Sequence, residues 1–175
     1  MSFLDLAAKR YSVRGYQPDP VPDEVLRDVL EAARLAPTAA NRQPFKLIVI
    51  DNPQIIGRFE AVYPAAWLRS APVVIVLCID PQDAWIRNRD RRSYVEVDAA
   101  IVMDHLTLAA ADAGLGTCWI AAFNPEPLWP MLNIPPHMEP YLITPLGYPA
   151  VEPGAKRRKD VSELVMWNIW GGKNT

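Results

Sequence analysis

Apolar residues recur with helical spacing in some stretches of the chain and crowd together without alternation in others. Residues 3–9 read as a short helix. Pro22 and Asp23 open a stronger one that runs through Leu35. It carries Val25, Val29 and Ala33 on one face with Leu26 and Leu30 beside them, and Pro37 closes it. Residues 46–50 and 73–79 are short β-branched runs, the pattern of strands covered on both faces, and residues 53–59 between them suit a helical turn. The longest helical pattern spans residues 94–113. Val97, Ile101 and Leu108 share a stripe, Val102, Leu106 and Ala110 widen it, and Gly114 stands where a C-cap belongs. Residues 117–120 and 141–146 read as further strands, and Asp160 is placed to cap a last turn through Met166. Strands alternating with helices make an α/β or α+β sheet with helical cover; the strand order is left open.

Composition narrows the class. The 175 residues are 50% hydrophobic and 22% charged, a balance that supports one globular domain with its own core. Eighteen Lys and Arg against twenty Asp and Glu leave a net charge of −2, which argues against a nucleic-acid or anionic-membrane binder. No apolar stretch is long enough to span a membrane, and the first ten residues lack the apolar core of a signal peptide. Cys78 and Cys118 are too few for a disulfide framework or a structural zinc site and read as buried thiols, so a cytoplasmic protein without a metal is expected. Eighteen prolines, about twice the usual share of ~5%, predict many corners and sharply stopped helices.

Four segments carry candidate chemistry. In Arg10-Tyr11-Ser12-Val13-Arg14 an extended backbone would project Arg10, Ser12 and Arg14 together, two guanidinium forks and a hydroxyl suited to a phosphate. Taken alone, the plainer account is a solvated exit from a helix. Lys156-Arg157-Arg158-Lys159 repeats the spacing at Lys156 and Arg158, and gains meaning only if the two ends of the chain meet. Ala36 to Phe45 halts a helix, makes a small polar turn and starts a strand, with Asn41 and Gln43 offering donors and acceptors. Gly114 to Phe123 is a tight helix-to-strand turn; it lacks the third glycine of a dinucleotide fingerprint and follows a helix. His105 falls on the helix stripe and reads as a satisfied core residue. Asp98 and Asp104 lie too far round the helix to form a carboxylate pair, and Arg87 to Arg92 reads as a solvated loop.

Together and in order, these segments resemble the nitroreductase-like flavoprotein family, specifically its short single-domain members. The matching pieces are RYSVRGY, APTAANRQPFKLIVI, DHLTLAAADAGLGTCWIAAF, LGYP and the basic tail segment ending at Arg158, which cover nearly the whole chain. The resemblance implies one α+β domain over residues 1–175, a three-layer α-β-α sandwich in an intertwined homodimer, with FMN in clefts at the subunit interface. It implies that Arg10, Ser12, Arg14, Lys156 and Arg158 hold the ribityl phosphate, with Tyr11 also at the cofactor. Pro37, Thr38, Ala39 and Asn41 of the neighbouring subunit, with Gln43 behind, would surround the flavin. Trp119, Ile120, Ala121 and Ala122 would run beside the isoalloxazine. Some relatives carry a glutamate where Ala121 stands, so an acidic group at the flavin edge is not carried over. No catalytic side chain is assigned.

The activity implied is hydride transfer from NADH or NADPH to flavin N5 and on to an electron-poor small molecule, such as a nitroaromatic or quinone, in alternating half-reactions. Storage or sensing of FMN without turnover, reductive dehalogenation and reduction of an activated alkene are the alternatives. A phosphate-binding interaction protein without flavin is a more distant one. Trp167 and Trp170 are more than a loose tail should carry, and packing on a neighbouring subunit would account for them.

Overall fold

The structure is a computed structural model and describes residues 2–173. Its elements are α1 (Phe3–Lys9), α2 (Asp23–Arg34), β1 (Phe45–Ile50), α3 (Pro53–Gly57), α4 (Ala66–Arg69), β2 (Val73–Ile79), α5 (Val95–Asp112), β3 (Gly116–Thr117), α6 (Leu128–Leu132), β4 (Glu139–Gly147) and α7 (Val161–Leu164). The four strands form one antiparallel sheet in the order β1-β2-β4-β3.

The sheet is the middle of three layers, and β2 shows why. Its seven residues are all buried, because alternate side chains enter opposite cores. Val73, Ile75, Leu77 and Ile79 face α2 and α5, meeting Val29, Ala33, Val102 and Leu106. Val74, Val76 and Cys78 face the other way, toward Ile56, Phe59, Leu68 and Leu128. Covering a strand of this kind on both sides contributes about 2 kcal/mol for each large aliphatic side chain removed from water. The α+β three-layer sandwich expected from the sequence is the architecture observed.

The helices follow their sequence signals. Ser2 and Asp5 form a reciprocal capping box on α1. Asp23 and Glu24 lie in the first turn of α2 and Arg34 in its last, matching the helix dipole. Gly114 adopts φ +79° just past α5, a conformation open to glycine, and the Leu115 N–H reaches back to the Ala110 carbonyl at 2.8 Å. Asp160 caps α7 as expected, but the helix stops at Leu164 rather than Met166.

Two expectations need correction and a third needs qualifying. β1 does meet a core on each face, Phe45, Leu47 and Val49 on one and Ile48 and Ile50 on the other, but it is an edge strand that pairs with β2 alone, so Lys46 is exposed and most of its residues are half-buried. The strand expected over residues 117–120 is shorter and earlier, Gly116–Thr117, and resumes only as a single bridge from Ile120 to Ile143. Val97 does not belong to the buried stripe of α5; it is 46% exposed, and the stripe runs through Val95, Asp98, Val102 and Leu106 instead.

Candidate functional site

The two ends of the chain meet at one edge of the sheet. After α1 the backbone extends, Ser12 bridges Thr117 of β3 in parallel, and the Val13 N–H donates to the Thr117 carbonyl at 2.9 Å. Gly116 permits this approach, since a Cβ there would lie 2.5 Å from a Val13 methyl. Val13 is buried while Ser12 and Arg14 on either side are exposed, the alternation of an extended segment. Leaving β4, the chain runs back along the same segment. Tyr16 bridges Pro149, the Ala150 N–H donates to the Gly15 carbonyl at 2.9 Å, and the Tyr11 hydroxyl donates to the Val151 carbonyl at 2.7 Å.

That return path places the basic tail on the basic start. The Lys156 ammonium donates to the carbonyls of Ala8 and Arg10 at the end of α1. Partial removal from water, then the nearby charges of Arg10 and Arg158, pull the Lys156 ammonium below its ordinary value. Arg14 and Ser12 flank Cys118: burial pushes that thiol up, while Arg14, the Ser12 hydroxyl and Arg10 pull it the other way. Arg10, Ser12, Arg14, Lys156 and Arg158 are thus brought into one neighbourhood. Among the described residues, the four ion pairs are Arg34–Glu31, Arg42–Asp83, Arg69–Glu60 and Arg87–Asp90, so none of these cations is neutralised by one. Four gathered positive groups with no carboxylate bridge between them suit a dianion, because each charge-assisted hydrogen bond to it is worth roughly 1.5–3 kcal/mol.

The turn between α2 and β1 is the second component. Ala39–Asn41 form one turn of 3₁₀ helix, and Ala40, Asn41 and Gln43 all have φ between 52° and 55° with no glycine among them. Left-handed backbone costs about 1 kcal/mol or more at an alanine, so the turn is strained and must be held. The Gln43 N–H donates to the Thr38 hydroxyl at 3.0 Å, the Gln43 side chain reaches Asn41, and the Ala39 N–H donates to Asp98 of α5 at 2.8 Å. Arg42 grips Asp83 of the β2–α5 loop through its carbonyl and carboxylate. Pro37 is exposed and Thr38 half-buried at the entrance to the turn. The Ala40 N–H and the Asn41 amide NH₂ have no partner among the described residues, which leaves two donors at the turn's surface.

These components are far apart within one chain. The turn is tied to Asp98 near the start of α5, whereas Arg10, Tyr11 and Val13 line a cleft of about 60 Å³ with Ala111 and Leu115 at its end. Thirteen residues of helix separate Asp98 from Ala111, about 20 Å at 1.5 Å per residue. The third component lies between them. Trp119 is 37% exposed, and its indole N–H donates to the Thr107 hydroxyl at 3.3 Å. Ile120 is buried in the core, with its N–H and C=O both committed to Ile143. Ala121 and Ala122 are exposed, and their N–H groups have no partner among the described residues.

A family model described as "Nitroreductase family" matches residues 7–67 and 58–148. The chain belongs to the nitroreductase family. A crystal structure of a nitroreductase family protein from Clostridium difficile 630 superposes with a TM-score of 0.89 at 36% identity, over 97% of this chain and 99% of that one. A protein named NADH dehydrogenase from Thermus thermophilus is 30% identical over 191 residues, 92% of this chain and 93% of the relative. A protein named FMN reductase [NAD(P)H] from Bacillus subtilis is 29% identical over 163 residues, 84% of this chain and 66% of the relative.

Reading single segments missed Asp98. It is 2% exposed, its Oδ2 is buried without a partner among the described residues, and it is the charged residue on the stripe Val95, Asp98, Val102, Leu106. That placement was the available signal, since an acid at a core position of a helix is rarely there by default. His105 is the satisfied residue expected, its Nδ1 3.0 Å from the Ile101 carbonyl. Arg87 to Arg92 form the solvated loop expected, exposed from Asn88 onward, and the loop is ordered by its own contacts. Arg87 pairs with Asp90, donates to the Tyr94 hydroxyl at 2.7 Å and stacks over its ring at 5.5 Å, and Ile86 bridges Ser93. Among the described residues no group of His, Cys, Asp and Glu is arranged to hold a metal, and no helix is long and apolar enough to cross a membrane.

Proposed function

We propose that this chain is an FMN-dependent NAD(P)H oxidoreductase that acts as a homodimer and reduces electron-poor small molecules. The observation that carries the reading is the meeting of Arg10, Arg14, Lys156 and Arg158 at one sheet edge with no acid paired to them among the described residues. Bound FMN would supply the redox chemistry, accepting hydride from NADH or NADPH and passing it to a nitroaromatic, quinone or similar acceptor in alternate half-reactions.

The chain's own part is to bind and orient. Arg10, Arg14, Lys156 and Arg158 would neutralise the phosphate, with the Ser12 hydroxyl as a further donor and Tyr11 fixed beside them by its bond to Val151. Trp119 to Ala122 would border the ring with backbone N–H groups at Ala121 and Ala122 that have no partner among the described residues, a polar edge that favours negative charge on reduced flavin. Within one chain the turn is tied to Asp98, and thirteen residues of helix, a rise of about 20 Å, lead from there to Ala111 beside Arg10 and Tyr11, so a second copy is the simplest source of Pro37, Thr38, Ala39, Asn41 and Gln43 at the ring. Exposed Val97, Trp119, Trp167 and Trp170 give such a copy apolar surface to cover. One domain over residues 1–175, paired with itself, would then make two equal sites.

The names borne by the Thermus and Bacillus relatives, NADH dehydrogenase and FMN reductase, support this reading. The test is a visible spectrum of the purified protein, followed by NADH and NADPH oxidation with a quinone or nitroaromatic. A yellow protein that releases FMN on heating and turns over is expected. A protein that stays colourless after FMN is added overturns the proposal, and flavin bound without turnover reduces it to a binding module.

A further inference from the structure

The strained turn between α2 and β1 is held chiefly by groups of its own, with two exceptions. Thr38, Ala39, Asn41 and Gln43 bond to one another within six residues of chain. The outside holds are Arg42 on Asp83, both exposed to solvent, and the Ala39 N–H on Asp98, 59 residues away and 2% exposed. A surface pair of the first kind constrains little, because water competes for both partners. The second is a carboxylate taken into the core of α5 for one backbone N–H, with Oδ2 left without a donor among the described residues. Such an arrangement is expensive, and an apolar residue on that stripe would cost less.

We infer that Asp98 is the positioning residue of the flavin-facing turn. By taking the Ala39 N–H, it holds Ala40, Asn41 and Gln43 in left-handed backbone and keeps the Ala40 N–H and the Asn41 amide turned outward as donors. The inference rests on the proposed function in one respect only, that the turn borders the flavin; that Asp98 anchors the turn stands apart from it. At 2% exposure Asp98 offers almost no surface to a cofactor or acceptor and acts through the backbone it holds. The role needs an acceptor oxygen at Oδ1. It does not need a charge.

The experiment compares Asp98→Leu, which fills the space without an acceptor, with Asp98→Asn, which keeps the oxygen. Amide hydrogen exchange at Ala39 and across residues 38–43 is measured on FMN-free protein, and FMN affinity is measured by fluorescence titration. In Asp98→Leu the Ala39 amide should exchange about tenfold faster or more, and FMN should bind about tenfold more weakly, the order of effect expected from losing one hydrogen bond to a buried carboxyl oxygen. Asp98→Asn should restore both to within about threefold, as expected when a neutral amide oxygen replaces a carboxylate in one hydrogen bond. If Leu fails to fold, Asp98→Ala takes its place. Unchanged exchange at Ala39 in the acceptor-free variant overturns the anchor, and so does an Asn variant that behaves like Leu. If the wild-type protein binds no FMN, the proposed function fails while the exchange comparison still decides whether Asp98 holds the turn. If the anchor holds but FMN affinity does not move, the turn does not face the flavin and the inference fails.

Discussion

Arg14 shows how much one side chain can carry when its neighbours are arranged around it. It is exposed, lies next to a residue buried to 1%, and its charge is felt by both Cys118 and Tyr16. Its guanidinium therefore lies near both the Cys118 thiol and the Tyr16 phenol. Arg14→Ala should remove about 2 kcal/mol of FMN binding, about a 30-fold rise in dissociation constant, with little change in unfolding free energy. Fluorescence titration beside a urea melt checks both parts, and equal affinities in wild type and variant would remove Arg14 from the phosphate site. The period-two spacing of the arginines was legible in the sequence. Lys156 folding back onto the Arg10 carbonyl was not, because nothing local in either segment encodes a contact 146 residues away in the chain.

At the level of elements, β2 has the clearest physical signature. Burial on both faces pushes the Cys78 thiol up to about 11 from its ordinary 9.0. The folded strand therefore keeps a proton that the unfolded chain releases. The stability tied to Cys78 is complete below about pH 9 and is lost as pH rises toward about 11. Cys118 and Tyr16, also raised chiefly by burial, act in the same direction. Urea unfolding at pH 8 and pH 10.5 should show a loss on the order of 2 kcal/mol from Cys78, and Cys78→Ala should shrink the difference between the two pH values. An unchanged difference would mean that the thiol is not what titrates. β2 was readable as a doubly covered strand because its run of seven apolar residues is unbroken. β1 has nearly the same composition, yet lies at an edge with Lys46 exposed; position in a sheet is decided by pairing partners, which composition does not name.

Considered as a whole molecule, the single chain leaves apolar surface open to water. Residues 150–170 are exposed throughout, with Trp170 at 92% and Ile169 at 74%. Such apolar surface on an isolated chain calls for a covering partner. Trp170→Ser should leave the stability of a lone chain within about 0.5 kcal/mol, since the side chain packs against little there. It should nevertheless weaken self-association about tenfold or more, because buried tryptophans dominate interfaces. Sedimentation velocity across a dilution series reads the effect, and FMN occupancy should fall with the dimer. A variant that associates as wild type would place the interface elsewhere.

By itself, the sequence determined what local physics controls. Helices appear where apolar spacing and caps agree, as in α2 and α5, and β2 where an apolar run is long enough to fill two cores. The basic pairs at both ends and the polar turn after α2 were visible for the same reason, since each is encoded within a few neighbouring residues. Only the tertiary structure decided the strand order, the meeting of the two termini and the placing of the basic cluster and the polar turn toward opposite ends of α5. It also revealed Asp98 as the hidden hold on that turn, a bond spanning 59 residues. Contacts of that range form only when the packed sheet and helices bring remote segments together, and no local pattern of residues specifies which segments will meet.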